Sequence, residues 1–158
     1  SSPNTKELRE LSRKDSFDFL LKELRDSHKK LSKRFGYRPI FIKISPDETQ
    51  DNLTLICKSI MSNEMDGIIC GNTTVNHNEK NGFGGLSGAP LKELSNKNLI
   101  SVRNEVGKNF PIIASGGVMS SRDYQEKIQL GASLVQVYTG FIFEGPKLIQ
   151  DIINLSSD

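Results

Sequence analysis

Four short apolar runs, each followed by a segment of helical period, constrain this chain more than any other feature. They are "IFIKI", "GIIC", "PIIAS" and "LVQVY". Runs of this length, rich in β-branched residues and closed by Pro, Gly or polar residues, read as strands. They are apolar almost throughout, and that composition belongs to strands covered by helices. Serial alternation of strand and helix implies a parallel sheet with right-handed crossovers, an α/β fold.

The helices are predicted over residues 16–35, around 53–61, and over 95–106, 121–130 and 146–155. In the first, Phe17, Leu20, Leu21, Leu24, Leu31 and Phe35 recur at helical spacing with Lys and Arg opposite, so they are expected to form one buried stripe. His28 falls on that stripe and reads as a packed or rim histidine, because no second histidine stands at metal spacing. Asp47, just after Pro46, is the expected N-cap of the helix carrying Leu53, Ile56, Cys57, Ile60 and Met61. Cys57 and Cys70 lack a C-x-x-C spacing and sit in apolar runs, as buried free thiols do.

A net charge of +2 over 158 residues leaves no extended basic stripe, so nucleic acid is not an expected partner, and no uncharged apolar run is long enough to span a bilayer. A closed eight-stranded barrel takes about 250 residues. A chain of 158 residues is therefore half of one, or a smaller open sheet. The start "SSPNT", with neither an initiator methionine nor a signal peptide, favours a piece of a longer polypeptide.

Chemistry in parallel α/β folds collects at the carboxyl edge of the strands, where the connecting loops converge. Ser115, Gly116 and Gly117 follow one strand there, and Tyr138, Thr139 and Gly140 follow the next. Turns of this composition present backbone N–H groups to an anion, and missing side chains let a phosphate come close. A bare Gly-Gly would equally serve a tight turn at positive φ. In "IFIKI", Ile40, Ile42 and Ile44 share one face and Lys43 takes the other. On a strand covered on both faces Lys43 lies inside and needs an anionic partner, such as a cofactor that gains negative charge. Asn72 and Thr73, after "GIIC", stand at the same edge; the Asn72 amide suits either a planar ligand with mixed edges or a local Asx turn. "GGLSG" adds Gly84, Gly85, Ser87 and Gly88 to a loop of close approach, and "SSPNT" holds Ser2 and Asn4 around a rigid proline. No metal site is read from the sequence.

Taken in order, "SSPNT", "IKISPD", "DGIICGNTT", "GGLSG", "PIIASGGVMS" and "GASLVQVYTGFIFEGP" resemble the C-terminal half of class 2 dihydroorotate dehydrogenases over nearly the whole chain. The resemblance implies a (β/α)8 TIM barrel holding FMN, of which residues 1–158 are the C-terminal half. It implies oxidation of dihydroorotate to orotate in pyrimidine synthesis, with a membrane quinone as electron acceptor. By position, Ser2 matches the base that takes the C5 proton, and Asn4, Asn72 and Thr73 match residues that hold the orotate ring. Lys43 matches the lysine at the flavin, Gly88 and Gly117 its backbone contacts, and Tyr138 and Thr139 its phosphate loop. Gly71 stands where relatives often carry threonine, which leaves only a backbone contact with the cofactor there.

The same resemblance places the remaining half of the barrel, the other substrate-binding residues and the quinone tunnel in a missing N-terminal part. Membrane association would lie there too, at the bacterial inner membrane on its cytoplasmic face or at the mitochondrial inner membrane. The competing readings are a phosphate-binding TIM-barrel enzyme without flavin and a non-catalytic phosphate-binding half-barrel. The first would want acid and base carboxylates at the strand ends, where this chain has Ser, Asn, Thr and Gly.

Overall fold

The structure, a computed structural model, describes residues 14–77 and 84–155. Helix α1 (Lys14–Phe35) leads into β1 (Phe41–Ile44), α2 (Gln50–Ser62) and β2 (Gly67–Cys70). A 3-10 turn (Ala89–Leu91) then opens α3 (Lys92–Val106), followed by β3 (Ile112–Ser115), α4 (Ser121–Gln129), β4 (Leu134–Gln136), α5 (Thr139–Glu144) and α6 (Pro146–Leu155). The four strands form one parallel sheet in the order β1-β2-β3-β4, as the alternation requires.

Register explains where the core sits. Ile42, Ile68 and Ile112 align across three strands, and Ile44, Cys70, Ala114 and Val135 align across all four. These rows face the helices and form the core with Leu21, Leu53, Ile56, Cys57, Ile60, Leu99 and Val102. Burial at ~25 cal/mol per Å² makes this face the main source of stability. One residue along, Lys43, Ile69, Ile113 and Leu134 align on the opposite face. Among the described residues no helix covers that side: Lys43 is exposed, Ile69 and Ile113 are half-buried, and Leu134 is 62% exposed. The expectation of strands buried on both faces is therefore corrected. An apolar composition records that both faces are meant for burial, but among the described residues only one is covered.

Three local expectations also change. In α1 only Leu21 is buried, at 1% exposure, with Phe17 packed beside it, whereas Leu20, Leu24, Leu31 and Phe35 are exposed. At about 100° per residue, 20, 24 and 31 fall to one side of the azimuth shared by 17 and 21, whereas 35 repeats the azimuth of 17 about five turns further along, at the far end of the helix. His28 is a rim residue, as expected: its Nε2 lies 2.6 Å from the Arg38 carbonyl and its ring meets Tyr37 edge-on. The N-cap of α2 is Thr49, whose hydroxyl accepts from Asn52 N–H. Asp47 instead accepts from the Thr74 hydroxyl and, at 3.0 Å, from Val75 N–H, tying the loop after β1 to the loop after β2. Helix α5 was not anticipated, because its "TGFIFE" carries no polar face to reveal a helical period. Both cysteines are free and buried, and burial pushes each thiol up to about 12.

Candidate functional site

At the carboxyl edge of the sheet a cleft of about 570 Å³ collects residues from every strand. Lys43 reaches it from β1, Asn72 and Thr73 from the loop after β2, and Ser115, Gly116, Gly117 and Val118 from the end of β3. Gln136, Val137, Tyr138 and Thr139 come from β4 and its loop, and Ser87, Gly88 and Leu91 from the 3-10 turn. Among the described residues Lys43 is the only charged one in this lining, and none is a carboxylate. The wall thus combines one cation with amide, hydroxyl and glycine backbone groups, a donor set suited to an anionic ligand of mixed polarity.

The loops are pinned from behind. Gly117 has φ +75°, and a Cβ there would lie 2.3 Å from the Lys92 Cα, so the glycine turn and the first residue of α3 are in backbone contact. Lys92 in turn bridges Asp123 at 2.6 Å and Glu126 at 2.8 Å, joining the starts of α3 and α4. Hydrogen bonds to those two carboxylates raise the Lys92 pKa above the usual lysine range. Burial works to raise that of Asp123, yet hydrogen bonds from Lys92, Ser120 and the Met119 N–H outweigh it and hold the carboxyl below its ordinary value. The Ser120 hydroxyl also caps α4 by accepting from Asp123 N–H. On the other side the Thr139 hydroxyl lies 3.0 Å from that of Ser87, and Gly88, at φ +72°, packs so near that a Cβ there would come 3.0 Å from the Thr139 methyl.

The structure brings Lys43, Asn72, Thr73, Gly88, Gly117, Tyr138 and Thr139 to this one cleft. Asn72 makes a local contact one residue on, its Oδ1 accepting from Thr73 N–H at 3.0 Å, which is not the two-residue reach of the Asx turn weighed from its sequence. Tyr138 is 82% exposed at the rim. Gly71 is not on the cleft wall. At φ +119° its Cα packs so close to β3 that a Cβ would come within 2.2 Å of the Ser115 carbonyl oxygen, so glycine serves strand packing at that position. Ser2 and Asn4 lie outside the described residues, as does most of the polar "NHNEKNGFGG" loop. Sequence reasoning missed Leu91, Val118, Gln136 and Val137. Gln136 carried a usable signal, as a polar residue inside the apolar run "LVQVY".

A family model described as "Dihydroorotate dehydrogenase" matches residues 1–156. The dihydroorotate dehydrogenase (quinone) of Haemophilus ducreyi is 43% identical over 159 residues, which cover 96% of this chain and 48% of that protein. That of a Janthinobacterium is 42% identical, over 96% of this chain and 46% of the relative. Among solved structures, a dihydroorotate dehydrogenase of Eimeria tenella in complex with ferulenol superposes with a TM-score of 0.90 at 34% identity, over 98% of this chain and 46% of that one. The chain spans about half the length of the curated relatives it matches.

Proposed function

The chain belongs to the dihydroorotate dehydrogenase family, and we propose that residues 1–158 are the C-terminal half of an FMN-binding (β/α)8 barrel that oxidises dihydroorotate to orotate and passes the electrons to a quinone. The observation that carries this reading is the cleft itself: seven of the candidate residues, from all four strands or the loops that follow them, face one space whose only charged lining group, among the described residues, is an ammonium. Its fit to FMN rests on the same observation. Glycine turns at residues 88 and 117 expose backbone, and the described residues of the lining include no carboxylate to repel a phosphate.

FMN, when bound, would supply the hydride acceptor. Gly88, Gly117, Tyr138 and Thr139 would hold it, the last two at its phosphate. Lys43 would stabilise negative charge developing on it as the substrate is oxidised, an electrostatic role that asks for no proton transfer. Asn72 and Thr73, with Asn4, would orient the substrate ring by hydrogen bonds, and Ser2 would take its C5 proton. Serine is a weak base, so this step relies on water.

Among the described residues no helix covers the sheet face of Ile69, Ile113 and Leu134 and no strand pairs with the outer edges of β1 and β4, which supports a second half supplied by the remaining polypeptide. Quinone access and membrane attachment are assigned to that half. The test is an absorbance spectrum of the intact polypeptide that carries this chain: an isoalloxazine spectrum that bleaches anaerobically on addition of dihydroorotate is expected. A protein that binds no flavin, or whose flavin is not reduced, contradicts the reading. Ser2→Ala should slow flavin reduction by ~10²–10⁴ with FMN retained; unchanged kinetics would remove Ser2 from the reaction.

A further inference from the structure

Lys127 is the largest fully buried side chain among the described residues, at 1% exposure. A lysine at this depth is costly, and a methionine would fill the same volume without desolvating a charge. Its Nζ donates to the Ser95 hydroxyl at 2.6 Å, and Ser95 Oγ in turn donates to the Ser115 carbonyl at 2.8 Å. Ser95 is itself buried, at 2% exposure. The carbonyl it holds belongs to the peptide that leads into Gly116 and Gly117, and because that peptide is planar, fixing its oxygen fixes the plane in which the chain enters the glycine turn. Gly71 leaves room for the same oxygen on the β2 side. Ser115, Gly116 and Gly117 all line the cleft, while Lys127 and Ser95 stand behind them.

We propose that Lys127 is a positioning residue for the phosphate end of the cleft: through Ser95 it sets the Ser115–Gly116 peptide, and its buried charge favours a phosphorylated flavin over the same flavin without phosphate. This rests on the FMN reading above and adds to it a residue that touches neither cofactor nor substrate. A cation held in a poorly solvated interior acts on an anion above it with little screening, unlike a surface lysine. Burial draws the Lys127 pKa down to about 8, with Cys70 on β2, Lys92 on α3, and Glu126 and Asp123 on α4 as the charged or titratable groups around it. The charge is therefore present at neutral pH and lost as pH rises through 8.

The experiment measures FMN and riboflavin affinities of the intact polypeptide, wild type against Lys127→Met and Ser95→Ala. Lys127→Met is expected to weaken FMN by roughly tenfold or more while riboflavin changes less than about twofold, so that selectivity for the phosphate falls. Ser95→Ala should lose part of the same selectivity, and losing Ser95 should add little once Lys127 is Met. Between pH 7 and 9, where the phosphate of free FMN stays doubly ionised, wild-type selectivity should decline and that of Lys127→Met should stay level. A general structural defect would weaken both flavins together. Wild type that prefers FMN, with an unchanged FMN-to-riboflavin ratio in both variants, overturns the role of Lys127 alone. If Lys127→Met does not fold, an unchanged ratio in Ser95→Ala together with a pH-independent wild type has the same force. Wild type that takes up neither flavin overturns the functional reading and this role with it.

Discussion

Gly117→Ala tests how the anion-facing turn is held. Two costs arise. The first is conformational, because Gly117 sits at φ +75°, where an L side chain costs ~1–2 kcal/mol. The second is steric, because the new Cβ would stand 2.3 Å from the Lys92 Cα and 2.7 Å from its N. Those are backbone atoms of the first residue of α3, and they cannot swing aside as a side-chain tip would. Relief requires α3 to shift against β3, which strains the Lys92 contacts with Asp123 and Glu126; overpacking of this kind costs ~1–3 kcal/mol. Gly36→Ala separates the two, since Gly36 has φ +79° and its Cβ position meets only the side-chain tip of Arg38, at 3.7 Å. Gly36→Ala should therefore carry the conformational cost alone, and Gly117→Ala should be worse by the steric ~1–3 kcal/mol, or roughly 2–12 °C in Tm. The assay is reversible urea unfolding or calorimetry on the intact polypeptide, with FMN affinity measured on the same samples. FMN affinity should fall only in Gly117→Ala. Two variants within about 0.5 kcal/mol of each other, both binding FMN normally, would refute the close contact between the turn and α3.

Lys43→Met is expected to retain FMN but to slow its reduction by dihydroorotate by ~10²–10³, measured by anaerobic stopped flow, because it removes the only charged group among the described residues of the cleft wall. Cys57 and Cys70, held as thiols by burial that pushes both to about 12, should resist alkylation at pH 8 in the native protein and react after denaturation, as peptide mass mapping would show. Asp123→Asn should cost ~1–3 kcal/mol at pH 7 by removing charged hydrogen bonds with Lys92, Ser120 and Met119 N–H. The folded-state pKa of Asp123 is depressed, so its contribution is present above the unfolded value near 3.9 and fades as pH falls through the folded one. Stability curves of wild type and variant should accordingly converge in acid; a gap that stays constant down to pH 2 would refute the assignment.

Strands, helices and glycine turns were legible in the sequence because each is a local matter. The residues of "IIAS" or "KLIQDIINL" carry their own period, Gly and Pro mark where it stops, and strand ends in a parallel sheet collect on one edge whatever the details of packing. The convergence of Lys43, Asn72, Gly117 and Thr139 on one cleft follows from that rule and was anticipated. The burial of Lys127 was not. On "SRDYQEKIQ" it reads as one more charge on a polar helix, and only the placement of α4 beside α3 and over the sheet brings Ser95 and Cys70 near it. Asp47 likewise looked like a cap because a cap is a local motif, whereas its partners Thr74 and Val75 lie a whole strand and helix away. The apolar ridges of α1 were visible as residues, but which ridge is covered depends on α2 and on what else packs there. Periodicity is a property of neighbours in the chain; whether a given charge or methyl group meets water is decided by elements tens of residues apart, through a register that no single segment encodes.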